Sequence, residues 1–205
     1  VDIKCYIFTD PEEEDGVFYF QIYANPEDFE GNSVVVYKGS AYVPSEGDFV
    51  RVVGRVIDVL EGTNALGATL ILPVIRADYI TPVDPKEVLY PTLHTVYVNE
   101  VWSQYGVEIT VTKIEFAEKH TRVYLKIKNN RPDEVYFWSY GCKAVQGSRQ
   151  FEPTYVASLY WEPPEIDSEI LPGVVQEGVL IFEPFSYESK SVKLYIDIDF
   201  MDWSQ

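Results

Sequence analysis

No stretch of this 205-residue chain holds the roughly 20 consecutive apolar residues that a membrane-crossing helix requires. No window shows the sustained three-and-four apolar spacing of an amphipathic helix either. Alanine is scarce, methionine occurs once, and there are two histidines and two cysteines. His94 and His120 stand in no metal-binding spacing and beside no serine or cysteine motif. Both fall at expected strand ends, which makes them surface residues rather than ligands or bases. Cys5 and Cys142 also lack ligand spacing. Two small buried thiols are expected of them, a disulfide between them being the alternative. No nucleophile elbow, phosphate loop or zinc signature occurs. No catalytic residue, metal site or cofactor is therefore expected, and the chain is read as not an enzyme.

Positive charge is the other shortage. Sixteen Lys and Arg face 33 Asp and Glu, for a net charge of −17. Both halves share the imbalance, with six bases against sixteen acids up to Leu89 and ten against seventeen beyond it. Such a field repels a phosphate backbone, because nucleic-acid affinity is built largely on Lys and Arg. Its plain role is solubility.

What the chain does have is strand composition. Aromatic residues make up 15 % of it, sixteen of them Tyr, and valine is abundant. The most regular pattern lies at residues 46–82, where two apolar runs flank a break at Glu61-Gly62-Thr63-Asn64, the plain form of two strands around a turn. Ahead of it, residues 1–8, 17–24 and 33–37 read as three strands, with Asp10-Pro-Glu-Glu-Glu-Asp-Gly16 as the turn between the first two. Three prolines at residues 81–92 mark a short semi-rigid linker. Beyond it, short alternating segments at 95–101, 107–114, 122–128, 134–140, 143–146, 150–152, 174–182 and 191–200 suggest two packed sheets. The expected organisation is all-β: a five-stranded OB-like barrel at residues 1–81, a linker at 82–92, and an immunoglobulin-like β-sandwich at 93–205.

Two resemblances bear on this. E-G-D-x-V-x-V-x-G-x-V from Glu46, then L-G-A, then P-x-I-x-A-x-x-I ending at Ile80, resembles the OB-like domain repeated in many extracellular proteins of Gram-positive bacteria. G-V-x-I-T-V-T-K-I-E from Gly106, V-Y-L-K-I-K-N-N from Val123, L-P-G-V-x-x-E-G-V-L-I-F from Leu171 and a terminal L-Y-I strand resemble an immunoglobulin-like domain of unknown function found in Gram-positive lipoproteins. That family is grouped with a secreted mycobacterial immunoprotective antigen, and some members are mislabelled as telomeric repeat-binding factors. The acidic, proline-bearing stretch at 160–170 departs from its pattern. The resemblances imply an extracytoplasmic protein, secreted or lipid-anchored by a segment upstream of Val1, that binds or scaffolds a protein or glycan at the cell surface.

Candidate contact residues follow from position. Phe18, Phe20 and Ile22 alternate with Tyr19, Gln21 and Tyr23. A barrel interior takes the first set, since it has no polar atom to satisfy. Tyr19, Tyr23 and Tyr37 are then expected on the outer ligand face, with a domain contact as the alternative. Trp161 is either a binding anchor or a plug at the end of the second domain. Glu12-Glu13-Glu14-Asp15 reads as a solvated turn rather than a Ca²⁺ site, and Asp197, Asp199 and Asp202 resemble a ligand triplet of which Asp197 and Asp199 are simply the outward positions of a terminal strand. No motif singles out a carboxylate pair for glycoside hydrolysis. The rival readings are an OB-fold nucleic-acid-binding protein, disfavoured by charge, and a carboxylate-dependent hydrolase. The charge argument is checked by titrating single-stranded DNA and RNA at physiological salt. No useful affinity is expected; micromolar binding that weakens steeply with salt would overturn the reading.

Overall fold

The computed structural model describes all residues except 40, 64–66, 68, 157, 159, 190 and 201–205. It is all-β apart from single helical turns, and the chain divides into two compact units, Val1–Leu89 and Tyr90–Gln205.

The first unit contains β1 (Asp2–Ile7), β2 (Glu12–Glu14), β3 (Val17–Tyr23), β4 (Ser33–Tyr37), β5 (Phe49–Thr63), β6 (Thr69–Pro82) and a turn of helix, α1 (Pro85–Leu89). Pairing runs β1-β5-β6-β4-β3 and returns from β3 to β1, through Tyr6 opposite Tyr23 and Ile7 opposite Ile22. Among the described residues only β4 and β6 of this unit pair in parallel. The ladder therefore meets itself, and its inward alternate residues, among them Cys5, Ile7, Phe20, Ile22, Val35 and Val52, form one buried cluster. β5 and β6 slip register at Val53/Gly54, where the chain bends.

Three details differ from the sequence reading. The acidic run is a strand, since Glu12–Glu14 pairs with Val17, Phe18 and Tyr19, and the hairpin turns at Asp15-Gly16, both at positive φ. That is the two-residue turn favoured by strand twist. β5 continues through Glu61 and Gly62 to Thr63, so the expected break falls inside a strand; Asn64, Leu66 and Ala68 lie outside the described residues. The proline-bearing stretch, expected as a linker, holds α1, whose Val88 and Leu89 are buried.

The second unit contains β7 (Thr92–Gln104), β8 (Val107–Ala117), β9 (Thr121–Asn129), β10 (Val135–Phe137), β11 (Lys143–Gln146), β12 (Arg149–Phe151), β13 (Glu169–Ile170), β14 (Val175–Phe182), β15 (Lys193–Tyr195) and β16 (Ile198–Asp199). β14-β9-β8-β7 is one antiparallel sheet; β13-β10-β16 and β12-β11-β15 are two short ones. A single core draws on all three, with Val111, Leu125 and Leu180 from the first and Phe137, Ala144 and Ile170 from the others. Asn129 ends β9 fully buried, its amide donating to the Asp133 and Ile170 carbonyls at 2.8 and 2.9 Å while its oxygen accepts from the Arg131 amide. No helix of the described residues is long and apolar enough to cross a membrane.

Gly54 is where the first unit has least room. A Cβ there would press into the Arg76 carbonyl oxygen and lie 2.8 Å from Ala77 Cα, which are backbone atoms that cannot swing away. Gly54→Ala is expected to cost about 1–3 kcal/mol of stability by overpacking, read as a lowered urea midpoint at unchanged slope.

Candidate functional site

β1, β3 and β5 present their outer faces side by side, because Tyr6 stands opposite both Tyr23 and Phe49. Tyr19 is 40 % exposed there. Tyr23 is half-buried, because its ring stacks on Phe8 with centroids 3.9 Å apart and planes 17° apart. The edge of Phe29 meets the same ring at 5.7 Å and 78°. Tyr6 lies against Phe49 at 5.0 Å. Phe29 is 71 % exposed and sits at φ +56° in a loop pinched by reciprocal backbone bonds between Asn25 and Glu30, at 3.1 and 3.0 Å. A bulky side chain held in the left-handed region and left in water is uncommon. The turn, in which Asn25 Oδ1 also accepts from the Glu27 amide, places Phe29 beside Tyr23.

Tyr37 does not belong to this face. It is 2 % exposed, opposite Phe18 in the ladder, and part of the core. The inward positions of β4 are Ser33, Val35 and Tyr37, and the outward ones Val34 and Val36. Of the three tyrosines expected on a ligand face, Tyr19 and Tyr23 lie on the outer face of β3, four residues apart, and Tyr37 does not. Phe8 and Phe29 take its place. Phe8 was legible as the next outward position after Tyr6; Phe29 had no periodic signal, only its place among turn residues.

The second unit buries a polar cluster. Arg122 is 0 % exposed. Its Nε donates to Glu115 Oε2 at 3.0 Å, Nη1 to the Tyr90 carbonyl at 2.9 Å and to His120 Nε2 at 3.1 Å, and Nη2 to Thr92 Oγ1 at 2.6 Å. Glu115 also accepts from Tyr124 at 2.8 Å and from Lys113. Trp161 closes the cluster, stacked on His120 at 6.1 Å and against Tyr90 at 5.5 Å. Trp161 thus behaves as the plug of the two readings. His120, expected at the surface, is 2 % exposed. Since guanidinium only donates, His120 Nε2 must accept, and the ring is neutral with its proton on Nδ1. Burial first, and then the Arg122 charge, push its pKa down to about 4. His94 remains exposed, stacked on Tyr187 at 5.2 Å.

The cysteines are free and buried, Cys5 in the first unit's core and Cys142 in the second's. Burial pushes their thiols up to about 12 and about 11, the wrong direction for a nucleophile. Among the described residues no three His, Cys, Asp or Glu side chains are placed to hold a metal ion. Asp197 and Asp199 are exposed; Asp202 lies outside the described residues. No protein-family model, curated protein or solved structure matches the chain.

The neutral histidine makes stability pH-dependent with a fixed sign. An unfolded ring takes its proton near pH 6.5, the folded one only near pH 4. Between these values the unfolded state holds more protons, so stability falls as pH is lowered through that window, by about 3 kcal/mol at most. Unfolding midpoints compared between pH 6.5 and 5, above the carboxylate range, should show this slope in the wild type and lose it in His120→Gln.

Proposed function

We propose that this chain is a non-enzymatic binding or scaffolding protein of the cell exterior, built from an OB-like barrel and an immunoglobulin-like sandwich, that takes a glycan or peptide on the aromatic face of its first unit. The Phe8–Tyr23–Phe29 cluster carries this reading. Flat rings already packed on one another, with a Tyr hydroxyl among them, suit sugar rings or extended peptides. Strand order supports the OB-like part: of the five ring strands β1, β3, β4, β5 and β6, the first pairs with the second and fourth, and the third runs parallel to the fifth. The single core drawn from β14-β9-β8-β7 and the two short sheets supports the sandwich.

The absence of an assigned chemistry rests on how the ionisable groups are used. Arg122, Glu115 and His120 consume one another's hydrogen bonds in a closed interior, and both thiols are buried and protonated. Nucleic acid is disfavoured because the first unit carries an excess of ten acids. Location outside the cytoplasm is proposed on the resemblance to Gram-positive surface families.

A glycan and peptide array probed with the wild type, Tyr19→Ala/Tyr23→Ala and Phe29→Ala tests the assignment. Loss of a stacking ring costs about 1–3 kcal/mol, so binding should weaken roughly tenfold or more in each variant. A ligand held equally well by all three proteins would reduce this face to mere surface.

A further inference from the structure

In the second unit the two sides of the core differ in width. One side is four strands across, β14-β9-β8-β7. On the other, the chain of β10 and β11 pairs on one side with β13 and β12 and on the other with β16 and β15, so that side is three strands across. The outermost strand of the wide side, β7, has no strand facing it among the described residues. Its register places Val96 with Ile114, Glu100 with Val111 and Trp102 with Ile109, all on the core side. Yet Val96 is 39 % and Trp102 50 % exposed. Between these residues and Val192, Leu194 and Ile196 lies an open cavity of about 840 Å³. Among the described residues no strand pairs with the far edge of β15 or β16.

We propose that this groove receives an extended segment of another protein as an added strand, one in which apolar residues alternate with Lys or Arg. A strand paired to the free edge of β15 and β16 lies beneath β7 and makes both sides four strands wide. Its backbone satisfies the unpaired edge, and its inward side chains displace water from Val96, Trp102 and Leu194. Its outward side chains stand beside the exposed residues of residues 193–199, namely Lys193, Tyr195, Asp197 and Asp199. Opposite charges at such cross-strand positions attract and like charges repel; two aspartates against the one Lys193 leave the row net negative, and Glu100 in the groove wall adds to that sign, so a basic partner is selected. A purely apolar small molecule would fill the cavity but leave the strand edge and both aspartates unanswered. The site is separate from the aromatic face of the first unit, and neither proposal rests on the other.

The probe is a synthetic peptide of alternating valine and lysine, titrated against the full chain by fluorescence anisotropy. Its controls are the valine–glutamate peptide and a valine–lysine peptide with alternate amides N-methylated, which keeps the charge but cannot complete a ladder. Both controls should bind at least tenfold more weakly. Trp102→Ala should weaken the valine–lysine peptide similarly and Asp199→Lys, at an exposed position, several-fold, with circular dichroism confirming that both variants are folded. Tyr19→Ala should leave this binding unchanged. Failure of the valine–lysine peptide to bind overturns the proposal, as does equal binding of the N-methylated peptide, which would make the attraction one of charge alone. Concentration-dependent self-association of the chain that Trp102→Ala abolishes would overturn it in favour of a second copy as the occupant.

Discussion

Each strand carries along both edges a row of amide and carbonyl groups that must be paired or left to water, and the two units meet this requirement differently. In the first unit the pairing order returns from β3 to β1, so β1, β3, β4, β5 and β6 form a closed ring, from which β2 and the far halves of β5 and β6, paired only with each other beyond Gly54 and Val74, project with open margins. The three glutamates of β2 keep its margin charged. Around that closed ring the backbone is paired, and what the ring offers a ligand is side chains on its outer surface. In the second unit the order does not return, and β7, β15 and β16 remain open on one side among the described residues. There the backbone itself is available. The placement of one proposed site on a face of rings and the other on a strand edge follows from this difference in pairing.

Arg122 shows a second constraint. A fully buried guanidinium is tolerable only if its donors find acceptors, and removal of a partner from such a group is far more costly than its net contribution. Its acceptors come from Tyr90 and Thr92 at the start of β7, Glu115 on β8 and His120 at the start of β9. The cluster therefore ties three neighbouring strands to one another at one end of the sheet. A protonated His120 would offer Arg122 a donor where an acceptor is required, which is why ring and guanidinium coexist only with the imidazole neutral.

The strands were legible because alternation survives wherever one face is buried and the other wet. Residues 19–23 and 123–129 follow that alternation. Legibility failed where contrast was missing. Ser33-Val-Val-Val-Tyr37 has no polar partner set to fix the phase, and its most polar member, Ser33, is on the buried face with Tyr37. A one-residue shift moves every side chain to the opposite face, and that shift put Tyr37 outside. His120 was illegible for another reason. Its burial is produced by Tyr90, Arg122 and Trp161, and all but Arg122 are distant in the chain. Three glutamates in succession hid a strand, since charge at an edge mimics a loop. Prolines at 82 and 85 hid a helical turn, because proline at the first position of a helix costs nothing.

The two proposed surfaces also differ in how they use charge. The nearest cations on the outer face of β1 and β5 are already engaged, Lys4 with Glu87 at 2.6 Å and Arg51 with Asp2. These pairs are half-exposed and contribute little energy, but they neutralise the positive charges of Lys4 and Arg51. Recognition there must run through stacking and hydroxyl hydrogen bonds, which salt hardly touches. At the edge of residues 193–199 the aspartates are exposed, and their attraction for a basic strand is screened beyond a Debye length of about 8 Å at physiological ionic strength. Ladder bonds and the apolar cavity must hold the occupant there, while charge selects which strand arrives. In an acidic chain this division keeps affinity in the neutral parts of each surface and leaves its many carboxylates to exclude the wrong partners.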